Sequence, residues 1–190
     1  VKINQPSASS IMVGRITGGS RTEIFGSLTS TGEIILINPK GMLFGADAQI
    51  NTSSFSASTI DISPDDFASK NIITLRSFDG DNSDSSIINL GSINVNDSGL
   101  VSFIAPHIIN EGLISAKYGE VQLGNGTSAS LDLSGDGLFN IALEEGVTAV
   151  IKNTGIIKGQ NIRIGGGFAS DLVDSTVNIG GLIEATGFDQ

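Results

Sequence analysis

Asn89-Leu90-Gly91-Ser92-Ile93 returns as Asn110-Glu111-Gly112-Leu113-Ile114, as Asn153-Thr154-Gly155-Ile156-Ile157 and as Asn178-Ile179-Gly180-Gly181-Leu182. The intervals between the asparagines are 21, 43 and 25 residues. The middle interval is about two periods, so one copy, near Leu131-Asp132-Leu133, is expected to have lost its signature. Three clear copies continue into an alternating strand: Val101-Ser102-Phe103, Val121-Gln122-Leu123 and Ile162-Arg163-Ile164.

A period near 21 residues, built from short strands without a helical segment, is the pattern of a β-solenoid coil. Leucine-rich repeats share the length but need a fixed Leu-x-x-Leu-x-Leu frame that is absent here. The reading is therefore all-β: a right-handed parallel β-helix with coils of about 21 residues and a few extra-helical loops or short hairpins. Successive coils then lie ~4.8 Å apart, and about nine of them would make a rod on the order of 43 Å long. At a shared turn position, Asn89, Asn110, Asn153 and Asn178 can form a ladder of side-chain amides. The Gly two residues later is expected to supply the positive φ of a sharp corner.

Composition agrees with this architecture. Of 190 residues, 39% are apolar but only 5% aromatic, and 25 are Gly. The mean hydropathy of +0.19 excludes a disordered chain. A core of Ile, Val, Leu and Ala broken by glycines suits many short strands, whereas each Gly inside a helix costs about 1 kcal/mol relative to Ala. The formal charge of −10 argues against nucleic acid and against an anionic membrane surface, both of which need a basic footprint. There is no Cys, so disulfides and thiolate metal sites are excluded. A chain that crosses the periplasm unfolded gains by carrying no thiols to cross-link there. No stretch reaches the ~18 apolar residues of a membrane helix, and no basic-then-apolar signal opens the sequence.

Earlier in the chain, Ile34-Ile35-Leu36-Ile37 reads as a short strand buried on both faces. Asn38-Pro39-Lys40-Gly41 stops it. Asn38 suits position i of a type I turn, with its amide bonding the backbone two residues on; Pro39 pre-sets φ at i+1 and Gly41 is favoured at i+3. Met42-Leu43-Phe44 resumes the apolar run. Short strands are also expected around Ile11-Met12-Val13, Ile24-Phe25 and Leu28, over Thr59-Ile60-Asp61-Ile62 as an alternating strand, and over Ile72-Ile73-Thr74-Leu75. Ser63-Pro64-Asp65-Asp66-Phe67 has the N-cap, Pro and acids of a short helix start. Asp79 to Ser86 reads as an exposed polar loop.

Asn38-Pro39-Lys40-Gly41-Met42 resembles the Asn-Pro-Asn-Gly-Ile motif of the two-partner-secretion domain of filamentous haemagglutinin-type exoproteins. Gln5-Pro6-Ser7, Arg15-Ile16-Thr17-Gly18, Ile24-Phe25-Gly26-Ser27-Leu28, Phe44-Gly45 and Ala57-Ser58-Thr59 follow the order and spacing of that family. The resemblance covers roughly residues 3 to 67. Lys40 departs from it, standing where the family has a second Asn, and the chain is expected to begin inside the module. The second Asn-Pro-Asn motif and the paired cysteines of one family branch are missing, which points to the other branch. Residues 1–190 are expected to form one β-helix domain, with 1–67 carrying these motifs and 87–190 the repeat coils.

What the resemblance implies is a secretion module of a large bacterial exoprotein, recognised by the periplasmic domains of an outer-membrane transporter and exported to the cell surface, where it nucleates β-helix folding. Asn38, Pro39, Lys40 and Gly41, with Arg15, Thr17 and Gly18, are the expected recognition residues. An adhesin or haem-carrier-capturing passenger that binds host surface molecules through extra-helical loops such as 79–86 is the alternative.

Residues that would carry catalysis or metal binding form no constellation. His107 is the only His, and no Gly-x-Ser-x-Gly elbow accompanies the chain's many Ser and Asp residues. Asp65-Asp66 and Glu144-Glu145 are paired carboxylates of the kind that cleave polysaccharides, the second alternative, but neighbours in a strand point to opposite faces. Asp79, Asp81 and Ser83 start like a calcium loop; the frame fails at Asp84, where Gly belongs, and at Leu90, where Glu belongs. Gly165-Gly166-Gly167 lacks the Lys-Ser/Thr of a phosphate cradle and is read as a mobile corner. No enzyme, cofactor or metal is expected.

Overall fold

The computed structural model describes residues 1–62, 72–76, 84–126, 128–132, 140–142, 149–165 and 175–185. Short strands wind into stacked coils, three to a turn. The first coil is β1 (Lys2–Ile3), β2 (Ile11–Arg15) and β3 (Thr22–Ile24); the second is β4 (Ser27–Ser30), β5 (Glu33–Ile37) and β6 (Met42–Phe44). The third runs β7 (Gln49–Thr52) and β8 (Phe55–Ser58), leaves the stack for β9 (Asp61–Ile62) and β10 (Ile72–Arg76), and returns as β11 (Ser86–Asn89). The fourth is β12 (Ser92–Val95), β13 (Leu100–Ile104) and β14 (His107–Asn110). In the fifth, β15 (Leu113–Gly124) spans two sides, β16 (Ser128–Asp132) and β17 (Asn140–Ala142) leave the stack, and β18 (Ala149–Asn153) closes it. The sixth is β19 (Ile156–Ile164) and β20 (Ser175–Ile179), and β21 (Leu182–Ala185) opens a seventh.

All pairing between coils is parallel, and in register except between β15 and β19, where it shifts between Ala116 and Glu120. This is the parallel β-helix expected from the period. Val101, Val121 and Ile162 stack on one another, as do Ser102, Gln122 and Arg163, and Phe103, Leu123 and Ile164. Alternate residues turn inward because a strand's side chains have period two. The interior is accordingly a pile of aliphatics, among them Ile34, Leu36, Ile87, Ile93, Val101, Ile108, Ile114, Val121, Ile151 and Ile157. Phe44 meets Phe55 edge-on at 5.6 Å and stacks on Phe103 at 6.0 Å, filling the middle of coils two to four.

Four expectations are corrected by the structure. Among the described residues there are six coils and the start of a seventh, not nine, because two coils spend residues outside the stack. The 43-residue interval holds no signature-less copy. Asn110 pairs directly with Asn153, and Leu131-Asp132 belongs to β16, in an antiparallel four-stranded sheet of order β17-β16-β10-β9. Thr59-Ile60 is not strand but a bend between β8 and β9. At the far end of the 79–86 loop, Ser85 is buried and Ser86 already lies in β11.

The fourth copy of the repeat also differs from the pattern. Asn178 pairs with Lys152, one place early; the residue level with Asn153 is Ile179. Glycines of the signature do not have positive φ, which among the described glycines belongs to Gly41 and Gly165. They are needed for close approach instead. A Cβ at Gly112 would lie 2.1 Å from the Gly91 carbonyl oxygen, one at Gly155 2.1 Å from that of Gly112, and one at Gly181 2.1 Å from that of Gly155. Gly181, not Gly180, thus holds the fourth place in this column. The short helix expected over 63–67, the acids at 65–66 and 144–145, residues 79–83, and Gly166 and Gly167 lie outside the described residues.

Candidate functional site

Strand β5 ends because Asn38 replaces a strand side chain with one that bonds its own backbone. Its Oδ1 accepts from the Lys40 amide at 2.9 Å, and the Gly41 amide donates to the Asn38 carbonyl at 2.9 Å, closing the turn. Gly41 has φ +92°, and a Cβ there would sit 2.6 Å from the Ser86 carbonyl oxygen, so only Gly fits on both counts. Asn38 is fully buried. Its Nδ2 donates to the Ser20 carbonyl at 3.1 Å and to Thr22 Oγ1 at 2.8 Å, binding the turn of the second coil to the 17–22 segment of the first. The Thr22 amide adds a bond to the Gly41 carbonyl at 3.0 Å.

Arg15 ends β2 level with Ile37, so it stands beside this turn. Its Nε donates to Asp61 Oδ1 at 2.7 Å, reaching the strand where the chain leaves the stack. Thr17 and Gly18 are exposed, and a Cβ at Gly18 would meet nothing within 4 Å. The structure therefore brings Arg15, Thr17, Gly18 and Asn38 to Gly41 to one corner of coils one and two. Lys40 is exposed there, Pro39 half-buried, and Arg21 is exposed and paired with Glu23 at 2.7 Å.

The neighbouring motif residues have structural work of their own. Gln5 sits between the first two coils: its Nε2 donates to the carbonyls of Ser10 at 2.6 Å and Glu33 at 3.2 Å, and its Oε1 accepts from Ser30 Oγ. Phe25, more than half exposed, lies against Gly45, where a Cβ would come within 2.3 Å of the ring. Glu33, half-buried at the start of β5, has its carboxyl pushed above the ordinary 4.5 by loss of solvent.

At the second corner, Asn89 Nδ2 donates to Asn110 Oδ1 at 2.8 Å, and Asn110 Nδ2 to Asn153 Oδ1 at 2.6 Å. All three asparagines are fully buried. The backbone position level with Asn153 in the next coil is Ile179, not Asn178. Sequence reasoning did not find Ser20, Thr22, Asp61 or Gln5 as partners. Spacing could not have revealed them, since Arg15 and Asp61 are 46 residues apart and Gln5 and Glu33 are 28 apart. His107 is half-buried in β14, level with Ser86 and Val150. Among the described residues no three His, Asp or Glu converge on a metal position.

Comparison with known proteins agrees with this geometry. The family described as "TPS secretion domain" matches residues 1–190. The heme/hemopexin-binding protein of Haemophilus influenzae strain Rd is 34% identical over 170 residues, covering 86% of this chain and 18% of that protein. A second heme/hemopexin-binding protein of Haemophilus influenzae is 36% identical over 62 residues, or 33% of this chain and 7% of that protein. The chain thus spans less than a fifth of the curated relatives it matches. The crystal structure of the HMW1 secretion domain from Haemophilus influenzae superposes with a TM-score of 0.72 at 27% identity, covering 85% of this chain and 45% of that one. The chain belongs to the TPS secretion domain family and is the secretion domain of a two-partner secreted exoprotein.

Proposed function

We propose that this domain is recognised by the periplasmic domains of a dedicated outer-membrane transporter, and that it leads its exoprotein to the bacterial cell surface without performing catalysis. The observation that carries this reading is the corner at coils one and two. There the buried Asn38 locks the turn to the 17–22 segment and leaves Lys40, Thr17 and Gly18 exposed at fixed positions. A rigid polar corner of this kind suits recognition, because little side-chain or loop entropy is lost on binding. Residues 1–190 act in this reading as one module. Once outside, each added coil buries apolar side chains against the last, which biases the chain against sliding back and nucleates the coils that follow.

Titrating the purified chain, folded and urea-unfolded, against isolated periplasmic domains of the cognate transporter tests the proposal. Saturable binding that Lys40→Ala and Arg15→Ala weaken is the expected result; no binding by either form overturns it. A second reading, a ligand-binding passenger, draws on the name of the heme/hemopexin-binding relatives. Binding of hemopexin by this chain alone, at micromolar concentration or below, would support it.

A further inference from the structure

We propose that the outer face of the β3-β6-β11-β14-β18 sheet is a self-complementary docking surface for a second copy of this chain, laid with its helix axis antiparallel to the first. Strand pairing places Glu23, Leu43, Ile88, Ile109 and Lys152 in one row along the helix axis. Each lies between inward-facing neighbours: Thr22 and Ile24, Met42 and Phe44, Ile87 and Asn89, Ile108 and Asn110, Ile151 and Asn153. The row therefore faces outward. Leu43, Ile88 and Ile109 are half-buried and are not part of the core cluster. Glu23, at the first rung, and Lys152 are exposed, and β20 carries the register one rung further with Asn178 level with Lys152.

Three stacked aliphatics between an acid and a base form an unusual surface row. A twofold axis running along the strands at Ile88 exchanges Glu23 and Lys152 and leaves the β20 rung beyond the shared stretch. Glu23 of one copy then meets Lys152 of the other, Leu43 meets Ile109, and Ile88 meets itself, which is the condition for an isologous interface. A parallel arrangement would oppose Glu23 to Glu23 and Lys152 to Lys152. The charges already have companions, Arg21 to Glu23 at 2.7 Å and Glu111 to Lys152 at 4.0 Å, but these exposed pairs are weak enough to be shared across an interface.

Size sets the strength. Five rungs at ~4.8 Å, about two residues wide, bury on the order of 600 Å² in total, well short of the roughly 1,200 Å² of stable complexes. Association is consequently weak in dilute solution and becomes significant where copies are crowded.

The chain has no Cys, so a single introduced thiol reports contact without background. Oxidation of the Ile88→Cys variant at high protein concentration is expected to give disulfide-linked dimer at least tenfold faster than oxidation of Asn51→Cys, an exposed position on another side. Adding Glu23→Lys to Ile88→Cys should slow that reaction several-fold, and adding Lys152→Glu as well should restore it. Circular dichroism melts of each variant establish that it is folded. Equal rates for Ile88→Cys and Asn51→Cys overturn the proposal, as does failure of the double charge exchange to restore what the single one removed. Cross-linking of the Ile88→Cys thiol to a transporter fragment but not to itself gives the face to another partner and overturns it too.

Discussion

Asn110 donates its side-chain amide to Asn153 Oδ1 at 2.6 Å although 43 residues separate them. Between the two positions β15 runs along two sides of the coil and β16 and β17 lie in another sheet, so that β18 stands on β14 one rung higher. Asn110→Ala would remove the middle of the ladder. It leaves Asn89 Nδ2 with only the Leu113 carbonyl at 3.3 Å and Asn153 Oδ1 without its donor, both buried. A loss of about 2–3 kcal/mol is expected from the weakened donor and the stranded acceptor, read as a shift of the urea midpoint without change of slope.

The ladder stops where Ile179 takes the place level with Asn153. Ile179 is about half exposed, and Asn153 Nδ2 reaches only the Gly155 carbonyl, at 3.5 Å. Ile179→Asn should extend the ladder by one rung and raise stability by about 0.5–1 kcal/mol. An unchanged or lowered melting temperature would count against the register proposed for that coil.

Gly112→Ala tests the backbone column. With a Cβ 2.1 Å from the Gly91 carbonyl oxygen, the coils must part, and a loss of more than about 3 kcal/mol, or failure to fold, is expected. Gly19→Ala, where a Cβ meets nothing within 4 Å, should stay within about 0.5 kcal/mol of the parent. Thermal melts of the two variants side by side decide the point.

For the Asn38 turn, folding and export can be separated. Asn38→Ala loses three side-chain bonds rather than the single Asx bond legible in the sequence, so about 2–3 kcal/mol is expected instead of the ~1 kcal/mol of a lone cap. Lys40→Ala touches an exposed side chain and should leave the urea midpoint unchanged. Secretion measured in cells carrying the cognate transporter should then fall for Lys40→Ala if the corner is read directly. It should fall for Asn38→Ala alone if only the fold matters.

Glu33 makes stability depend on pH. Its folded carboxyl titrates above its unfolded value because burial disfavours the charge. Below the unfolded value both states hold the proton and nothing is lost. As pH rises past it the unfolded chain releases the proton first, so stability declines until pH has passed the folded value. Glu33→Gln removes this decline. The variant should match the parent near pH 3.5 and exceed it at pH 7 in paired urea titrations.

The sequence by itself determined the local elements. Four adjacent aliphatics at 34–37 made a strand buried on both faces, Asn38 to Gly41 made the turn, and the Asn-x-Gly recurrence of 21 residues announced stacked coils. These follow from side-chain shape and backbone preference, which act over a few residues. Tertiary structure decided register and count. Whether Asn178 or Ile179 stands above Asn153, whether 43 residues make two coils or one with an excursion, and which residues Asn38 and Arg15 hold depend on hydrogen bonds between strands tens of residues apart. The glycines show the same division: sequence marked where they recur, but only stacking revealed that they are there because one coil's carbonyl lies where the next coil's Cβ would be.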